Sequence, residues 1–170
     1  LLSPKFHKVL TPGKSYTGGK TFFEDNTDLI ISIPDKEVYH HKNNQLSECP
    51  QSLINALQIF ICGVAITVNI QEKENFLSML IHADSLKDVS RQFYDWVKML
   101  KDSWEDRLQL PDGDPSKSEL IEQFKENYIE AVRRIQNPPE FKEVMIEVLQ
   151  VILDTNIELV IAGSKEIDWS

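Results

Sequence analysis

The hydrophobic pattern predicts an α/β (α+β) domain: a mixed β-sheet carrying a Cys–His hairpin, with three helices packed against it. Three observations predict it. Two apolar runs rich in β-branched residues, 59–70 and 76–83, are separated only by the polar stretch 71–75. Three later segments repeat apolar residues every three or four positions. A last apolar run, 157–162, ends at Gly163.

Residues 1–27 are rich in Lys, Gly, Ser and Thr without periodicity and read as a loop-like lead-in to a single domain spanning 1–170. Residues 28–33 form a short β-branched run ended by Pro34, a predicted strand that residues 37–41 can pair with. Residues 50–57 suit one or two helical turns. The runs 59–70 and 76–83 then form the hairpin. Ser85 with Asp88 resembles a capping pattern, and Leu86, Val89, Phe93, Trp96, Val97, Leu100 and Trp104 follow as an apolar stripe. The stripe predicts a helix at about 85–103 that buries Trp96. After the loop 111–115, Ser116 with Glu119 opens a second helix whose face is Leu120, Phe124, Tyr128, Ala131 and Ile135. Pro138 and Pro139 end it, Pro139 fits the first turn of a third helix, and Phe141, Val144, Met145, Val148, Leu149 and Ile152 mark that helix's core side.

With 170 residues and 41% hydrophobic content the chain can build a sizeable core. No run reaches the roughly 18–20 apolar residues of a membrane span, and the first residues show no secretory pattern, so no membrane partner is expected. The net charge is −9, concentrated in residues 111–170, where thirteen acidic residues face six basic ones. Such a surface repels phosphate backbones, so nucleic acid is not an expected partner; it permits a basic protein partner, and is equally the pattern of a solvated helix surface. Two cysteines are too few for a disulfide scaffold, and reduced thiols fit a cytoplasmic protein.

The hairpin carries the chemistry. With its turn centred on Glu72, Cys62 faces His82 across the strands, and directly opposed Cβ atoms lie about 4.5–5.5 Å apart. A thiol needs a neighbouring base to become thiolate near neutral pH. The imidazole can take that proton and later protonate a leaving amine. Attack on a carboxamide would then give a thioester and ammonia, and water would release the carboxylate. Asp84, two residues beyond His82, is a third member if the strand continues that far, and otherwise belongs to the lead-in before Ser85.

The segment Phe60-Ile61-Cys62-Gly63-Val64-Ala65-Ile66-Thr67-Val68, a turn, then Ser78-Met79-Leu80-Ile81-His82-Ala83 and an amphipathic helix, resembles the core of the Cys/His protein-glutamine deamidases. That group includes chemoreceptor deamidases and the catalytic domains of cytotoxic necrotizing factor-type toxins. The resemblance implies Cys62 as nucleophile, His82 as base and a glutamine-bearing protein as substrate. It implies no cofactor or metal, and either a cytoplasmic enzyme or a bacterial effector delivered into a host cell. The sequence departs from the chemoreceptor pattern at Phe60-Ile61, where Gly-Ser is usual, and at Ala56, where Thr is usual.

Other clusters are weaker. Gly13 to Thr21 lacks the glycine spacing of a phosphate-binding loop. His40, His41 and Cys49 are poor metal ligands because adjacent strand residues point to opposite faces. Asp112 and Asp114 supply too few positions for a calcium loop. The alternative to an enzyme is a non-catalytic interaction module, an adaptor or inhibitor, that uses an acidic helical face.

Overall fold

A computed structural model describes residues 18–39, 45–70 and 77–161. The backbone divides into two compact units, Leu1–Ile33 and Pro34–Ser170. In the first, a short π-helical segment, Thr21–Asp25, leads into a 3-10 turn, Thr27–Leu29. Lys20 pairs with Asp25, and the Asn26 side-chain amide donates to the Thr21 carbonyl at 2.7 Å.

The second unit corrects the fold class. Among the described residues all regular structure is helical and there is no strand or sheet. After a 3-10 turn at Asp35–Glu37 come four helices: α1 (Gln51–Val64), α2 (Lys87–Leu108), α3 (Pro115–Val132) and α4 (Phe141–Asp154). A π-helical stretch, Ala65–Ile70, continues α1. The expected strand 59–70 is therefore the end of a helix. Residues 59–66 are without polar gaps because α1 is packed by both α3 and α4, and such a run has no period to read, while Thr67 and Asn69 alternate with Ile66, Val68 and Ile70 as a strand would. The β-branched residues cluster late in the run, and stiff χ1 angles lower helix propensity there. That is where α-helix gives way to π-helix.

The other expected strands are not strands where they are described. Residues 30–33, 77–83 and 157–161 have no strand assignment, Asp28, Leu29 and Glu37 belong to 3-10 turns, and residues 40 and 41 lie outside the described residues. The 71–75 turn and Gly163 lie outside the described residues. The alternation itself is real: Met79 and Ile81 lean on the core while Leu80 and His82 are exposed. Likewise Ile157 and Leu159 are half-buried between exposed Asn156, Glu158 and Val160.

The helix boundaries follow their caps. Proline at position 50 has no side-chain acceptor, and the free Ser52 N–H donates instead to Glu37 Oε2 at 2.7 Å, from fifteen residues upstream. Helix α2 begins at Lys87, two residues after the expected Ser85 cap; Asp84 Oδ1 accepts from the Leu86 N–H at 2.8 Å. Asp114 caps α3 by accepting from the Ser116 N–H at 2.8 Å, with Pro115 in the first turn. A capping box of Glu140 and Glu143 opens α4, so Pro139 lies just before the helix.

The core is one cluster. Leu53, Leu57, Ile61 and Cys62 of α1 meet Leu120 and Phe124 of α3 and Val144, Val148 and Ile152 of α4. Helix α2 packs on α3 and α4 through Val89, Phe93, Leu100, Trp104 and Leu108. Trp104, not Trp96, is the buried tryptophan of α2: its ring meets Phe124 edge-on at 5.4 Å, whereas Trp96 is half-buried and Leu86 is exposed. The α2–α3 turn is braced by Arg107, which donates to the Ser116 carbonyl at 2.8 Å and pairs with Glu119 at 3.3 Å. Gly113 there has φ +89°, a conformation that glycine adopts at little cost. Tyr128 donates to the Pro139 carbonyl and sets its ring against Phe141, tying α3 to the start of α4.

Candidate functional site

The residues read as a catalytic set do not share a hairpin. Cys62 lies on the inner side of α1 and is fully buried. Burial pushes its thiol up to about 12, so it carries almost no thiolate near neutral pH. His82 is exposed in the irregular segment after the undescribed residues 71–76, and Asp84 serves the Leu86 N–H. The register that set Cys62 opposite His82 required two strands, and Cys62 is helical. Burial also pushes the half-buried Cys49 up to about 11.

The remaining clusters have structural roles. Asp112 is held by Lys117 Nζ at 2.8 Å, which draws its carboxyl below the usual range, and Asp114 is spent on its cap. Among the described residues no three His, Cys, Asp or Glu side chains converge as a metal site. His40, His41 and residues 13–17 lie outside the described residues. No described helix is long and apolar enough to cross a membrane. A shallow cavity of about 300 Å³ sits before α1, lined by Glu37, Gln45, Cys49 and Gln51 among others. Glu37 already turns its carboxylate onto the helix start there.

That contact sets a pH dependence. The Ser52 backbone N–H, then its side chain, holds the Glu37 carboxyl below its usual value. A depressed folded pKa contributes stability above the unfolded value and loses it as pH falls through the folded one. Glu37→Gln should therefore lower the melting temperature at pH 7, and the gap to wild type should close in acid. A gap that persists unchanged to about pH 3 would show that Glu37 does not act as an ionised cap.

A family model described as the Z1 domain matches residues 52–170, which is 119 of the 170 positions. The chain belongs to the Z1 domain family. This assignment replaces the resemblance to the Cys/His glutamine deamidases, whose two-strand core the helical α1 also lacks. The Z1 match starts at the second residue of α1 and takes in all four helices. No curated protein and no solved structure matches the chain.

Within the Z1 region, α4 has the feature that stands out from ordinary packing. Val144, Val148, Val151 and Ile152 face the core. On the other side Ile146 is 68% exposed and Leu153 43% exposed, while Leu149 at their edge is half-buried against the core. Seven residues separate Ile146 from Leu153, two turns on one line of the helix. Glu143, Glu147, Gln150 and Asp154 follow three- and four-residue spacings along the border of that line. The sequence reading missed Ile146 and Leu153 because they fall outside the core stripe. The signal was present as apolar residues seven apart on the side where a surface helix is ordinarily polar.

Proposed function

We propose that this Z1 domain is a non-catalytic protein-interaction module that docks a partner on the outward side of α4. The exposure of Ile146 and Leu153 on one helical line carries the reading. A helix apolar on two opposite sides is built to be covered on both, and the core covers one. The buried, protonated Cys62 supports it from the other direction, because the thiol the amidase reading needed has neither base nor solvent access in α1.

The test is selection of a displayed library of random helical peptides on the wild-type chain, with each binder re-measured on an Ile146→Glu/Leu153→Glu variant. Both side chains point away from the core, so the variant should keep the wild-type melting temperature. Selected peptides should lose at least tenfold in affinity on it. An empty selection, or binders that treat both proteins alike, would remove the docking face. Iodoacetamide labelling of the native protein adds a check on the amidase reading. Both thiols should react slowly near neutral pH, and fast, selective labelling of Cys62 would restore a nucleophile.

A further inference from the structure

We infer that the partner docked on α4 is an amphipathic helix bearing lysine or arginine along one flank; this rests on the docking face proposed above. Shape gives the first part. Ile146 and Leu153 form an exposed ridge two turns long, flanked by Leu149, which packs against the core, and a second helix meets such a line by setting its own apolar residues beside it. Helix α4 has 14 residues and so spans about 21 Å, enough for a partner of about four turns. Its backbone groups are used within the helix, so it presents no free edge for an extended strand to pair with.

Charge gives the second part. Glu143, Glu147 and Asp154 lie on one border of the ridge, with Gln150 between them and bonded to Asp154 at 2.9 Å. The one basic residue of α4, Lys142, lies one turn before Ile146 at the start of the ridge and away from the acidic border. Glu143 is shared with the helix's own capping box, where the Glu140 N–H reaches it at 3.1 Å, which leaves Glu147 at the centre of the row. An acidic border beside an apolar ridge attracts a helix with cations on the matching flank and repels one with anions there. A second copy of this chain laid antiparallel, α4 on α4, would set one acidic row beside the other in a chain of net charge −9, which opposes that arrangement. The apolar ridge supplies affinity, and the row of carboxylates supplies partner choice and orientation.

The probes are two synthetic peptides about as long as α4, both with leucine at three- and four-residue spacings. One carries lysine at the remaining positions and the other glutamate. Binding is read by fluorescence anisotropy at low salt and at about 0.5 M salt. The lysine peptide should bind in the micromolar range and weaken in salt. Glu147→Lys and Ile146→Glu should each weaken it at least tenfold, and the glutamate peptide should bind at least tenfold more weakly than the lysine peptide. Equal binding of the two peptides, or binding of the lysine peptide indifferent to Glu147→Lys, overturns the basic flank. Lysine-peptide binding that ignores Ile146→Glu is general attraction of a polycation to an acidic chain and also overturns it. If neither peptide binds while library-selected peptides do so through Ile146 and Leu153, the docking face stands and the basic partner falls.

Discussion

Replacing Trp104 by alanine is expected to destabilise the fold by about 3–5 kcal/mol. The indole is 3% exposed and meets Phe124, itself fully buried, edge-on at 5.4 Å. Truncation removes the burial of a large ring and leaves a void between α2 and α3 that fixed helix backbones cannot close. Trp96→Ala is the control. Trp96 is half-buried at the border of the same helix and meets Phe93 at 5.0 Å, so its loss should cost less than half as much. Urea melts at constant m-value measure both. The reverse order would mean that α2 is rotated about its axis relative to the packing described above.

The second large effect is a change of sign between two substitutions at Gln58. This side chain is fully buried in α1, its Oε1 accepts from Asn127 Nδ2 of α3 at 2.7 Å, and its own Nε2 has no partner. A buried donor left unbonded costs free energy that an apolar group of similar volume would not. Asn127 Nδ2 also reaches Asn55 Oδ1 and the Gln123 carbonyl, both at 3.3 Å, so it stays satisfied when Gln58 is lost. Gln58→Leu should therefore be neutral or stabilising by up to about 1 kcal/mol. Gln58→Glu puts a carboxylate of nearly the same shape there and should cost about 3–5 kcal/mol at pH 7. Burial raises the folded pKa of that carboxyl above its unfolded value of about 4.3. The penalty is then absent where both states are protonated, and it accumulates as pH rises from the unfolded to the folded pKa. A cost independent of pH would show that water reaches position 58.

What could be read in the sequence divides along physical lines. The faces of α3 and α4 were legible, because Leu120 and Phe124, or Val144 and Val148, stand out against polar neighbours. The sidedness of 77–83 was legible too, since Met79 and Ile81 do turn inward, although no strand partners them. The 59–70 run was not legible: the uninterrupted apolar residues 59–66 fit a buried strand and a buried helix equally, and only the packing of α1 between α3 and α4 decides. The Cys62–His82 reading inherited that ambiguity, because a two-residue period placed the thiol on a face that a 3.6-residue period does not have. The Glu37 cap was out of reach for another reason. It lies fifteen residues from the N–H it satisfies, beyond the local window in which capping patterns are recognised. Ile146 and Leu153 stand seven residues apart outside the core stripe of α4, so a core pattern does not include them.

The position of α1 in the chain matters before the native state exists. Past Gln51 no residue of this helix is exposed in the folded unit. Yet the helices that cover it, α3 and α4, come later in the sequence, and the end of α4 lies about 90 residues beyond the end of α1. At the ordinary pace of translation, about 5–20 residues per second, an emerging α1 waits roughly 5–20 s for its cover. During that interval it is a sticky apolar rod outside the ribosome, a natural client for a holding chaperone. Starved codons between α2 and α4 would lengthen the wait and lower the soluble yield without changing a single residue of the product.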